Sequence, residues 1–143
     1  ISGEKAAVDR TVAYARERGA KKTVFLPVSA PFHCPLMAPA EERLAIELDR
    51  VSFRDLRFPV VTNFQAEAVM GAEQAREALK RQVSAPVRWE ESMHLLLREG
   101  IDTVVEVGPG RTLLGLMKRM DRKVEGLHVE DPSSLEETLR ALS

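Results

Sequence analysis

"DTVVEVGPG", residues 102 to 110, followed at once by "RTLLGLMKRM", residues 111 to 120, decides the fold class. The first stretch is a β-branched run ending in a Gly-Pro-Gly turn, and in the second Leu113, Leu116, Met117 and Met120 recur at helical spacing. "KVEGLHVE", residues 123 to 130, reads as a weaker strand after that helix, and "DPSSLEETLRAL" closes the chain as another helix. Its start is strongly marked: Asp131 can cap it with Pro132 at the first position, and Ser133 to Glu136 also match a capping box. Strand, helix, strand in this order predicts parallel pairing in an α/β fold.

The same alternation continues upstream. "EKAAVDRTVAYARERGA" carries Ala7, Val8, Val12 and Ala15 on one helical face, with Gly19 as its stop. "KKTVFLPVSA" predicts a short strand that Pro27 pushes toward an edge or an end, which would put His33 just past a strand. Ala40, Leu44, Leu48 and Val51 mark an amphipathic helix beginning near Pro39, so "CPLMAP" must be a turn or a short helical segment. "LRFPVVTNF" is a second strand candidate. Two helices follow, one through Ala75, Ala78, Leu79 and Val83, the other through Trp89, Met93, Leu96 and Leu97 up to Gly100. There is no internal repeat and no linker-like tract.

Composition bounds the function. The 143 residues suffice for one core, and 21 Lys and Arg against 22 Asp and Glu leave a net charge of −1 with the signs interleaved. That pattern argues against nucleic acid, which needs a basic stripe. No apolar run approaches a membrane span and no secretory start is present; a cytoplasmic setting fits, and the lone Cys34 forms no internal disulfide. The opening "ISG" reads like the tail of a strand, so upstream sequence is expected.

Chemistry concentrates in "SAPFHCPLMAP", residues 29 to 39, where a histidine, the only cysteine and three prolines share eleven positions. The histidines at 33, 94 and 128 do not form the close pairs of a metal site, so no metal is expected. A Cys34 nucleophile based by His33 is disfavoured because neighbouring side chains in extended backbone diverge; Cys34 reads as a small buried hydrophobe. "VEVGPG" lacks the Walker lysine, and Pro109 removes one amide, so a tight strand-to-helix connection is expected there and not a phosphate cradle. No Gly-x-Ser-x-Gly elbow occurs, and no carboxylate is evidently paired with a histidine. The residues alone give a soluble α/β domain with one suspicious histidine, at the strand-end edge where such sheets build sites.

Taken together, "LPVSAPFHCPLM", "FPVVTN", "RQVSAPVRW" and "EVGPGRTLLGLMKR", in this order and with these gaps, resemble the C-terminal part of malonyl-CoA:acyl carrier protein transacylases. The resemblance implies a parallel-sheet, hydrolase-like α/β core in residues 30–143, preceded in residues 1–29 by the last α-β unit of a ferredoxin-like small subdomain. It implies malonyl transfer from coenzyme A to a serine and then to the phosphopantetheine thiol of acyl carrier protein. His33 would be the general acid/base, oriented by the backbone carbonyl of Gln82, with Asn63 near the site. Phe32 before the histidine matches the "HAFH" form associated with malonyl, although Ser29-Ala30-Pro31 precede it here, as in free-standing enzymes. The partners implied are malonyl-CoA, acyl carrier protein and the N-terminal part of the same enzyme, which would hold the serine, a carboxylate-binding arginine and an oxyanion-hole glutamine; no further cofactor is implied. A serine hydrolase or thioesterase of similar core, or a non-catalytic scaffold, are the alternatives.

Overall fold

The structure, a computed structural model, describes residues 1–143 and divides into two compact units, Ile1–Ser92 and Met93–Ser143. This division reflects packing within the chain and is distinct from the boundary at 29/30 that the resemblance implies.

In the first unit, α1 (Lys5–Glu17) ends as its sequence predicts. Gly19 takes φ +90°, and the Ala20 amide reaches back to the Ala15 carbonyl at 2.9 Å. None of its residues is buried within the chain. The strand expected over residues 21–30 is not present, so His33 does not follow a strand. A strand exists only with a partner ladder, and here the Val28 amide turns back to the Leu26 carbonyl at 2.9 Å, a three-residue turn centred on Pro27. Val24, Phe25, Leu26 and Val28 remain 65%, 59%, 72% and 57% exposed.

A 3₁₀ turn, Pro35–Met37, leads into α2 (Ala38–Asp49), with Pro39 in the first turn where its missing N–H does no harm. The second strand candidate shrinks to β1 (Val60–Val61), which pairs antiparallel with β2 (Ala68–Val69), a strand the sequence reading did not foresee. α3 (Ala72–Arg81) starts with two donors satisfied: Ala72 N–H donates to Asp55 at 2.9 Å and Gly71 N–H to the Gln74 side chain at 3.1 Å. α3 is tied to the end of α2 and the residues after it, Lys80 to Asp49 at 2.7 Å and Arg76 to the Val51 carbonyl at 3.3 Å.

α4 (Trp89–Arg98) runs across the division and ends at Gly100, φ +83°. The second unit is the strand-helix-strand read from the sequence. β3 (Thr103–Val107) lies parallel to β4 (Glu125–Val129) in register Thr103 to Glu125 through Val107 to Val129, joined by α5 (Thr112–Met120). Leu114 and Met117 of α5 are buried, and Gly126 lets the helix approach: a Cβ there would stand 3.0 Å from Leu114 Cδ2. α6 (Pro132–Ala141) uses the first of the two possible caps, Asp131 accepting from Ser134 N–H at 2.8 Å. The protein is thus mixed α/β with a small parallel sheet.

Candidate functional site

The loop carrying His33 is built by short-range constraints. Phe32 N–H donates to the Ala30 carbonyl at 2.9 Å, His33 takes φ +60°, and Cys34 returns to extended backbone before Pro35 starts the 3₁₀ turn. A left-handed residue between such neighbours reverses the direction in which successive side chains leave, and histidine is among the residues that adopt it. Cys34 consequently points inward, 6% exposed, with its thiol donating to the Pro31 carbonyl at 3.1 Å, while His33 is exposed.

His33 Nδ1 lies 2.9 Å from the backbone oxygen of Gln82, 49 residues along the chain. The reason this oxygen is free is legible in the sequence. Gln82 caps the C-terminus of α3, and the residue four positions on, which would normally donate to it, is Pro86. Since a carbonyl only accepts, Nδ1 must carry the proton, and the neutral ring presents Nε2 as a lone pair. Nε2 makes no hydrogen bond within the chain.

Of the other two residues singled out, Phe32 is 44% exposed next to His33, and Asn63 occupies the tip of the β1–β2 hairpin. That turn is closed by Ala66 N–H donating to the Thr62 carbonyl at 2.9 Å, with Ala66 at φ +56°. Asn63 engages through its backbone carbonyl, which accepts from Arg88 N–H at 2.9 Å; no hydrogen bond joins its side chain to His33. Arg88, which the sequence reading passed over, also donates to the Gln65 carbonyl at 2.7 Å and to Glu91. The hydrogen bond with Arg88 holds the Glu91 carboxyl below the usual range. No group of three or more His, Cys, Asp and Glu side chains is gathered where it could hold a metal ion, and no helix is long and apolar enough to cross a membrane.

In the second unit the helix start behind "VEVGPG" is already occupied by an internal anion. Glu106 reaches from β3 to the first turn of α5, accepting from Leu114 N–H at 2.9 Å and Leu113 N–H at 3.1 Å, while Glu130 accepts from Gly110 N–H at 2.8 Å. The amide of Leu114 first, then those of Leu113 and Thr112 and the nearby His128, hold the Glu106 carboxyl below its ordinary range against the opposing effect of desolvation. Asp131 is lowered likewise, mainly by Ser134. Both groups bind fewer protons folded than unfolded near their ordinary pKa of about 4, so their stabilisation is complete above that range and disappears as pH falls through the depressed values. Thermal melts should show Tm falling between about pH 5 and pH 3. Glu106→Gln, which leaves one amide unanswered, should lower Tm at neutral pH and flatten that acid dependence; an unchanged acid slope would contradict this assignment.

No family model matches the chain. Curated relatives do: the chain is 39% identical over 142 residues to the malonyl CoA-acyl carrier protein transacylase of Bacillus subtilis, covering 99% of this chain and 45% of that protein. It is 38% identical over 135 residues to the Escherichia coli K12 protein of the same name, covering 94% of this chain and 44% of that one. Among solved structures, a malonyl-transacylase in complex with a type II polyketide acyl-carrier protein superposes with a TM-score of 0.92 at 40% identity, over 97% of this chain and 45% of that one. The corresponding enzyme of Streptococcus pneumoniae gives 0.90 at 44% identity, over 97% of this chain and 45% of that one. The chain spans a little under half the length of the curated relatives it matches.

Proposed function

We propose, from the kinship of this chain with the C-terminal part of the malonyl CoA-acyl carrier protein transacylases, that it supplies the acid/base half of such an enzyme. The N-terminal part supplies the serine nucleophile, the arginine for the malonyl carboxylate and the oxyanion glutamine. Residues 1–29 then complete a ferredoxin-like small subdomain, residues 30–143 belong to a hydrolase-like core, and the enzyme works in the cytoplasm.

The observation that carries this reading is the divided histidine: Nδ1 engaged by the Gln82 carbonyl, Nε2 unengaged on an exposed ring. In the first half-reaction the serine oxygen attacks the malonyl thioester carbon and its proton passes to Nε2. Collapse of the tetrahedral intermediate breaks the carbon–sulfur bond, and Nε2–H returns the proton to the coenzyme A thiolate. The second half-reaction repeats these steps with the phosphopantetheine thiol attacking the acyl-serine. The Gln82 carbonyl stabilises the imidazolium formed in between, the part a carboxylate plays in other triads. Phe32 narrows the space beside the substrate α-carbon and favours malonyl over its methylated analogue by about 1–3 kcal/mol; Asn63 borders the site through the hairpin turn.

The test is to quench the full-length protein in acid after brief mixing with malonyl-CoA and map the label by mass spectrometry. A malonyl ester on a serine N-terminal to this chain is expected. Label on Cys34, or a free malonate burst with no enzyme-bound ester, would overturn the proposal, the latter in favour of a hydrolase.

A further inference from the structure

We propose that Glu41 is a positioning residue for the His33–Gln82 pair: its carboxylate, in the first turn of α2, holds the segment after α3 and with it the carbonyl that orients the imidazole. Resting on the reading of His33 as the acid/base group, this assigns a support to that group which no sequence pattern announced.

One carboxylate grips the chain on both sides of Gln82. Glu41 Oε1 receives Arg81 Nη1 at 3.3 Å, one residue before Gln82, and Oε2 accepts from the hydroxyl of Ser84, two residues after it. The Glu41 side chain is 16% exposed, against 56% for Arg81, so its contact is shielded from competing water. Bonds to an ionised acceptor are also stronger than neutral ones.

The segment needs such a hold. Past the last turn of α3 its backbone bonds are long, Val83 N–H to Lys80 at 3.4 Å and Ala85 N–H to Arg81 at 3.2 Å, and Pro86 offers none. Two other polar ties, Lys80 to Asp49 at the last residue of α2 and Arg76 to the Val51 carbonyl just beyond it, hold α3 itself and stop short of Gln82. Of these three ties only that of Glu41 reaches beyond the end of α3. It also lies on the helix into which the His33 loop runs directly through the Pro35–Met37 turn. The imidazole and its acceptor are therefore both referenced to the first turn of α2. A misplacement on the order of 1 Å in such a pair can lower a rate by up to about 100-fold.

The experiment uses the full-length protein. Glu41→Ala and Ser84→Val should lower kcat for malonyl transfer by about tenfold with KM for malonyl-CoA unchanged, while Ser84→Thr, which keeps the hydroxyl, should restore the wild-type rate. In ¹⁵N spectra the His33 ring should pass from one tautomer to a mixture in the two damaging variants and not in Ser84→Thr. An unchanged tautomer in the damaging variants, whatever their kcat, would overturn the proposal. If Glu41→Ala does not fold, the contrast between Ser84→Val and Ser84→Thr decides it alone. The two readings separate cleanly: if His33→Ala leaves acylation intact while the Glu41 and Ser84 variants still shift the tautomer, the acid/base role fails and the positioning role stands.

Discussion

His33→Ala, in the full-length enzyme proposed above, should slow formation of the malonyl-serine by at least ~100-fold, the lower range for loss of a general base. The expectation follows from the ring's geometry. With Nδ1 donating to the Gln82 carbonyl at 2.9 Å, Nε2 is the atom left to take a proton, and no hydrogen bond within the chain competes for it. Rapid quench in a single turnover reads the step directly, since it separates acylation from product release. His33 sits at φ +60°, where alanine is strained by about 1 kcal/mol or more and asparagine is tolerated. His33→Asn therefore serves as the companion variant. The two should lose the same activity although only one disturbs the backbone, and normal acylation in either would remove His33 from the mechanism.

The second large effect concerns the chain by itself. Residues 1–143 alone should transfer no malonyl to acyl carrier protein, and co-expression with the N-terminal part should restore transfer. The nucleophile is proposed to lie on the other part, and this chain exposes apolar surface for that part to cover. Val24 to Val28 form an apolar run that is mostly exposed, and in the second unit Val107, at the end of β3, is 78% exposed. Burying one such side chain contributes about 1.5–3 kcal/mol, so a matching surface would be held firmly. Pull-down of the two parts followed by a transfer assay measures both claims. Activity of the isolated chain would show that the nucleophile is within it.

How much of this was legible in the sequence depends on whether the deciding contact is local. The β3–α5–β4 unit was readable because alternation, helical spacing and the Asp131 cap are all encoded within a few residues. The expected strand over 21–30 failed because β-branched residues state a preference that only a partner ladder fulfils, and the Pro27 turn decided the local geometry. β2 escaped notice because "AEAVM" has no strand pattern over so short a ladder. The left-handed backbone of His33 was not signalled by a glycine, and the reach of Glu106 to α5 and of Glu41 to Ser84 joins residues whose adjacency only the fold creates. Gln82 is the instructive case: only the family resemblance singled it out, although Pro86 four positions later leaves its carbonyl without a helical donor.

The most direct test of the account is the protonation pattern of one ring. In ¹⁵N-edited NMR of the protein above its imidazole titration, His33 should be the Nδ1–H tautomer, with Nε2 showing the shift of an unprotonated nitrogen. Finding the proton on Nε2 instead would mean that the Gln82 carbonyl does not receive the imidazole and that the lone pair required to accept the serine proton faces the wrong way.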